Sequence, residues 1–114
     1  MAWVPGRAAR RRHEPGLMNK MEREYAALLE LRKAAGEIAA YAFEPLKLRL
    51  ADRTFYEIDF LVQLADGTLE AHEVKGHWED DARVKYKVAQ ELHPWLTFRA
   101  VRKAKGAWII EPPE

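Results

Sequence analysis

The chain has 114 residues, no cysteine and a formal net charge of +1, which predicts one domain without disulfide bonds or thiol chemistry. Because the net charge is close to zero, a nucleic-acid-binding surface would require an uneven distribution of charge. No apolar run approaches the length of a membrane span, and the start lacks the apolar stretch of a signal peptide, so we expect a cytoplasmic protein without membrane contact.

Residues 1–18 predict a flexible basic arm ahead of a single domain that covers residues 19–114. The arm contains two prolines, two glycines and four clustered arginines, namely Arg7, Arg10, Arg11 and Arg12. Arginines bind DNA phosphates favourably because they release condensed counterions. We expect the arm to follow phosphates, and the alternative is a solvated tail.

Residues 19–35 predict the first helix. Asn19 is a favourable N-cap, and Glu22 follows at the spacing of a capping box. Apolar residues recur at helical spacing through this stretch, and Gly36 ends it. As a capping residue, Glu22 has a structural role that needs no further function.

Residues 46–50 alternate leucine with lysine or arginine. Since successive side chains of a strand point to opposite faces, the alternation predicts a strand with one buried face. We expect it nearer to the edge of the sheet than the hairpin that follows. Residues 53 and 54 are expected to form a connection.

Residues 55–76 predict a β-hairpin with its turn at Asp66-Gly67. The alternation of side chains places Asp59 on one face of the first strand, and Glu73 and Lys75 together on one face of the second. The opposite face is expected to be apolar: Tyr56, Ile58, Phe60, Val62 and Val74.

The charges on this hairpin need a reason, because burying a charge is costly unless it is paired or binds a cation. Carboxylates on neighbouring strands suit Mg²⁺, which takes oxygen ligands and keeps several waters. Lys75 could contact an attacking water or a developing phosphate charge. The alternative is a pair of solvated carboxylates, Asp59 and Glu73, with a salt bridge to the lysine.

The second helix is predicted to run from the acidic residues 79–81 to Leu92. Acidic residues at a helix start interact favourably with the helix dipole, so we expect them to be caps rather than metal ligands. Val84, Val88 and Leu92 follow at a spacing of four and are expected to pack on the sheet.

Residues 95–101 and 107–111 predict the two last strands, the final one at a sheet edge or against a partner subunit. The order α-β-β-β-α-β-β predicts an α/β fold (an α+β mixed sheet) with a helix on each face of a central mixed sheet. We expect the helix of Glu22 on the face of Asp59, Glu73 and Lys75, and the second helix on the other face.

The pattern of Asp59, a spacer and Glu73-x-Lys75 resembles the core of the PD-(D/E)xK nuclease superfamily, with Ile58 where that superfamily usually has proline. Residues 74–96 resemble a segment of phage endonuclease I, which resolves branched DNA. The shared features are the Lys-Gly after the strand, Trp78-Glu79, an acidic helix start, Arg83, Lys85 and Glu91-x-His93-Pro94. Upstream, KMEREY resembles the helix-borne E-R-E of archaeal Holliday junction resolvases, which share the nuclease fold.

The resemblance implies a restriction-endonuclease-like core and a Mg²⁺-dependent DNA endonuclease that resolves four-way Holliday junctions. Mn²⁺ is expected to substitute for Mg²⁺, and the active form is expected to be a homodimer. If the gene is from a phage, the protein would act in the host cytoplasm. Asp59, Glu73 and the Val74 carbonyl would hold one Mg²⁺, and Glu22 would hold or bridge to a second. Glu24 competes with Glu22 for that role.

The expected DNA contacts are cations of the arm and of the two helices: Arg7, Arg10, Arg11, Arg12, Lys20, Arg83, Lys85 and Lys87. Outside a nuclease, cations on an exposed helix face usually serve solvation. Two alternatives remain open. One is a nuclease of the same fold that acts on nicked, flapped or single-stranded DNA, and the other is a non-catalytic DNA-binding scaffold.

Overall fold

A computed structural model describes residues 16–111. These residues form two helices and seven strands: α1 Lys20–Ala34, β1 Ile38–Phe43, β2 Lys47–Ala51, β3 Thr54–Glu57, β4 Phe60–Leu64, β5 Leu69–Val74, α2 Asp80–Leu92, β6 Thr97–Ala104 and β7 Ala107–Glu111. Five strands form one sheet in the order β1-β4-β5-β6-β7, and β2 pairs with β3 in a separate sheet. The fold is α/β with a mixed central sheet, as predicted, and the arginines predicted to bind DNA from the arm lie outside the described residues.

The predicted hairpin is confirmed as the antiparallel pair β4–β5. Its turn includes Gly67, whose φ of 93° is a conformation that glycine adopts without steric strain. The Asp66 carboxylate accepts a hydrogen bond from the Thr68 N–H at 2.9 Å, which supports the turn. Strand β6 then pairs with β5 in parallel through the α2 crossover, so the sheet is antiparallel on one side of β5 and parallel on the other.

Three features of the strands differ from the prediction. Strand β1 was not expected, because three of its six residues are alanine and give little strand signal. Residues 55–64 do not form one strand, because the chain bends at Ile58 and Asp59, between β3 and β4. Strand β2 is therefore not near the edge of the main sheet and belongs to a second, two-stranded sheet.

Helix α1 begins at the predicted capping box: the Asn19 side chain accepts from the Glu22 N–H, and the Glu22 side chain accepts from the Asn19 N–H. The helix buries Tyr25 and Leu29 in a cluster with Phe60, Val62 and Val74. That face of the sheet is opposite to the one predicted for α1. The Ala71 face packs instead in a cluster with Tyr86 and Ala89 of α2, so the two helices do cover opposite faces, with the assignment reversed.

Helix α2 has its predicted length, but the apolar spacing was misread. Its buried residues are Tyr86 and Ala89, whereas Val84 is 59% and Leu92 51% exposed. The Tyr86 ring lies 5.9 Å from the Phe98 ring and 5.2 Å from the Trp78 ring. A large ring beside a small alanine buries more area against the sheet than the valine stripe would. Neither helix of residues 16–111 is long and apolar enough to cross a membrane.

Candidate active site

Asp59 lies at the bend between β3 and β4, where the chain passes from the small sheet into the main one. The Val74 N–H at the end of β5 donates to Asp59 Oδ2 at 2.9 Å. The Asp59 carbonyl accepts from the Glu44 N–H at 2.8 Å. These two bonds fix both the backbone and the carboxylate of Asp59 beside the end of β5.

Glu73 is buried near the end of β5, with 4% of its surface exposed. The Tyr56 hydroxyl of β3 donates a hydrogen bond to Glu73 Oε1, and the Lys75 ammonium lies 3.0 Å from Oε2. The Lys75 N–H donates to the Val101 carbonyl at 2.9 Å, which anchors the chain just after the strand. Both carboxylate oxygens of Glu73 therefore have donors, and its orientation is well determined.

Burial raises the pKa of Asp59 well above its ordinary range, and the negative charge and hydrogen bonding of the neighbouring Glu73 raise it further. The Val74 N–H and the Lys75 charge lower it by less. Two carboxyl groups this close repel each other when both are ionised. A bound cation would remove that repulsion.

The two donors of the site keep their protons. Burial raises the Tyr56 pKa, and the charge of Glu73 adds to that effect, so the phenol remains neutral. Burial alone would lower the Lys75 pKa, but attraction to Glu73, Asp59 and Glu22 outweighs it, so the pKa is raised. Without a bound cation, Lys75 is thus a positively charged hydrogen-bond donor.

Glu22 reaches the same cleft from the first turn of α1, where it is buried with 6% of its surface exposed. One of its oxygens accepts from the Asn19 N–H at 2.9 Å. Glu24, its competitor by sequence, points elsewhere and pairs with Lys103 at 3.1 Å. A Cβ atom on Gly76 would lie 3.0 Å from Met21 Cε, so the chain just after Lys75 packs against a side chain from the start of α1.

These side chains line a cleft of about 430 Å³. Among residues 16–111, its charged lining consists of four carboxylates and two ammonium groups: Glu22, Glu57, Asp59, Glu73, Lys75 and Lys85. If all six are ionised, these residues carry two more negative than positive charges, and they would repel a phosphate. A divalent cation in the cleft would reverse that balance.

The residues fit Mg²⁺ through a pair of carboxylates and not through a complete protein cage. Within residues 16–111, no three His, Cys, Asp or Glu side chains are grouped closely enough to hold a metal ion by themselves. Mg²⁺ is commonly bound by one or two carboxylates, with waters and substrate phosphates completing its coordination. Asp59 and Glu73 provide such a pair, and the cleft leaves room for water.

The basic residues predicted to bind DNA are dispersed around the cleft. Lys85 lines it, whereas the exposed Lys20 and Lys87 do not. The Arg83 guanidinium lies 5.0 Å and the Lys75 ammonium 5.9 Å from the centre of the Trp78 ring. Both cations therefore lie within cation–π distance of the Trp78 ring.

Sequence reasoning missed Tyr56, Glu57 and Phe55 as residues of the cleft. An unbroken strand would have put Tyr56 on the face opposite Asp59, and only the bend at residues 58 and 59 brings it beside Glu73. A signal was available in the sequence, since a tyrosine near a buried carboxylate is a natural hydrogen-bond donor. The bend itself has no glycine or proline to indicate it.

Comparison with protein-family models, curated proteins and solved structures finds no match to this chain. The chemistry of the cleft is consequently what indicates the function. A carboxylate pair with a charged lysine can hold a hard cation and place positive charge beside a phosphate.

Proposed function

We propose that this protein is a Mg²⁺-dependent DNA endonuclease that resolves four-way junctions by hydrolysing phosphodiester bonds. The observation that carries the proposal is the Asp59–Glu73 carboxylate pair beside the Lys75 ammonium, in a cleft with excess negative charge. Such a site favours a cation first and a phosphate second. The sequence resemblance to junction-resolving nucleases supplies the class of substrate.

Asp59, Glu73 and the Val74 carbonyl would hold the ion, and Glu22 would contribute from α1 or bridge to a second ion. When bound, Mg²⁺ supplies positive charge that makes a water more acidic and stabilises the leaving oxygen. Both carboxylates are held in place before any ion arrives, because the Val74 N–H and the Tyr56 hydroxyl are hydrogen-bonded to them. Preorganisation of this kind raises metal affinity.

Lys75 would act on the phosphate and the attacking water as a fixed positive charge. Its raised pKa keeps it protonated, so it donates hydrogen bonds and offsets the charge that develops on the phosphate oxygens. The expected products are a 5′-phosphate and a 3′-hydroxyl. A bound cation would offset part of the attraction that raises the Lys75 pKa, so Lys75 would orient the attacking water or help to deprotonate it.

A homodimer would provide the two cuts that junction resolution requires, because each chain has one Asp59–Glu73–Lys75 set. Strand β7 is an edge of the main sheet, and its Ile109 and Ile110 are 37% and 44% exposed. Exposed apolar residues on an edge strand favour pairing with another chain. A protein that sediments as a monomer at the working concentration and still makes paired cuts would contradict this part of the proposal.

A panel of DNA substrates tests the proposal. The purified protein is incubated with a four-way junction, matched linear duplex, nicked duplex, flapped duplex and single-stranded DNA, each with and without Mg²⁺. We expect paired cuts in the junction that need Mg²⁺ and little cleavage of linear duplex. Preferred cleavage of nicked, flapped or single-stranded DNA would change the proposed substrate and leave the proposed hydrolysis unchanged. Binding without cleavage of any substrate would indicate the non-catalytic scaffold instead.

A further inference from the structure

The two-stranded sheet β2–β3 has one face in the core and one face in solvent. Leu48 and Tyr56 are directly paired and both buried. Arg49 and Phe55 form the next pair and are both exposed. The strands thus present an arginine and a phenylalanine side by side on the outer face.

Phe55 occupies an unusual position for an aromatic residue. Its side chain is 46% exposed, and it lines the same cleft as Asp59 and Glu73. A single exposed apolar residue needs no explanation on a general surface. Beside a carboxylate cleft, however, an open ring face is available to the ligand of that cleft.

The rest of the β2–β3 hairpin is suited to a polyanion. Lys47 and Arg49 share the outer face, and Arg53 lies in the connecting turn with a φ of 56°. Residues 47–57 thus contain three cationic side chains and only two carboxylates, Asp52 and Glu57. Glu57 lies at the cleft end and Arg53 at the far end, so Arg49 and Arg53 extend positive charge away from the carboxylate site.

We propose that the β2–β3 hairpin binds a DNA strand next to the cut, with Phe55 stacked on an unpaired base and Arg49 and Arg53 on phosphates. The inference rests on the proposed nuclease function, since it is the cleft that brings DNA to this place. In a continuous duplex both faces of every base are covered by neighbours. A free base face exists only where stacking is interrupted, at a branch, nick or single strand. Phe55 would therefore select interrupted DNA over continuous duplex.

The test measures binding with Ca²⁺ in place of Mg²⁺, so that a cation can occupy the cleft while affinity is separated from Mg²⁺-dependent cleavage. The DNA is a four-way junction with 2-aminopurine at the branch point, compared with a linear duplex of the same sequence. The variants are Phe55→Ala, Phe55→Leu and Phe55→Trp. Leu69→Ala is the matched control, because Leu69 is 40% exposed and lies at the end of β5 away from Glu73.

We expect Phe55→Ala and Phe55→Leu to weaken junction binding by about 5- to 150-fold, the usual effect of removing an aromatic ring from a base stack. Phe55→Trp should retain both the junction affinity and the change in 2-aminopurine fluorescence that accompanies binding of the wild type. Leu69→Ala should match the wild type. Linear duplex binding should be unchanged in all four. Arg49→Ala should weaken binding of the junction and of the linear duplex alike, and it should reduce the slope of log affinity against log salt concentration by about 1.

Equal junction affinity in Phe55→Ala and wild type would overturn the inference, as would an equal loss for junction and linear duplex. Wild-type junction affinity in Phe55→Leu would also overturn the inference, because leucine keeps apolar area but has no ring to stack on a base. Failure of the nuclease proposal is distinguishable from these results. It would show as wild-type protein that cuts none of the DNAs in Mg²⁺, whatever Phe55 contributes to binding.

Discussion

Replacing Tyr56 with phenylalanine removes one hydroxyl group from the centre of the candidate site. Tyr56 is 7% and Glu73 4% exposed, so their hydrogen bond is largely shielded from solvent. A hydrogen bond to a buried charged group contributes about 1.5–3 kcal/mol. For a domain of this size, each 1 kcal/mol corresponds to about 4 °C in Tm, so we expect Tm to fall by about 6–12 °C.

Tyr41→Phe is the matched control for this change. The Tyr41 hydroxyl donates to Glu30 Oε1 at 2.8 Å, which is the same chemistry on the exposed surface. Exposed polar pairs contribute at most about 1 kcal/mol, and often nothing measurable. Thermal unfolding followed by circular dichroism compares the two variants directly. Equal small losses in both would refute the argument that Tyr56 holds a buried charge.

The same pair of variants tests whether Tyr56 acts through the metal site. Loss of a group that orients a metal ligand typically reduces metal affinity by about 10- to 100-fold. We expect Tyr56→Phe to raise the Mg²⁺ concentration for half-maximal cleavage by that factor, and Tyr41→Phe to leave it unchanged. An unchanged Mg²⁺ requirement in Tyr56→Phe would mean that Glu73 needs no orientation by Tyr56.

Three further predictions concern charge. The folded-state pKa of Asp59 lies above its ordinary value of 3.8, so the Asp59 carboxyl keeps its proton in the folded protein at pH values where the unfolded chain has lost it. The metal-free protein should therefore lose stability as pH rises from 3.8 through the raised pKa. Asp59→Asn should lack this loss when thermal unfolding is measured across that pH range. Glu22→Gln should nearly eliminate turnover while Glu24→Gln matters much less, and the reverse ranking in steady-state assays would reassign the helix ligand. Removal of residues 1–17 should weaken DNA binding and flatten its dependence on salt, and an unchanged slope would make the arm a solvated tail.

The sequence was a good guide where local chemistry decides the structure. The capping box at Asn19 and Glu22 and the turn at Asp66-Gly67 depend on a few neighbouring residues, and both are present. The short spacing of Glu73, at the end of β5, and Lys75, just after it, likewise brings the two side chains together as a 3.0 Å ion pair.

It was a poor guide where long-range packing decides. The bend at residues 58 and 59 reverses which face Tyr56 occupies, and it lies where the chain leaves the β2–β3 pair, at a point with no glycine or proline. Helix α2 buries Tyr86 and Ala89 because of the rings of the opposing sheet, and no periodicity in the helix alone distinguishes that face from the valine stripe. The side of the sheet that α1 covers was wrong for the same reason.

The most direct measurement of the central claim is cleavage of a labelled four-way junction in Mg²⁺ by wild type, Asp59→Ala, Glu73→Ala and Lys75→Ala, with junction binding measured in parallel. We expect paired cuts by the wild type only in the presence of Mg²⁺, and none by the three variants. Binding should persist in all of them, and loss of a carboxylate should tighten it by relieving repulsion of phosphate. Full cleavage by any one variant, or cleavage by the wild type in EDTA, would contradict the account of the site.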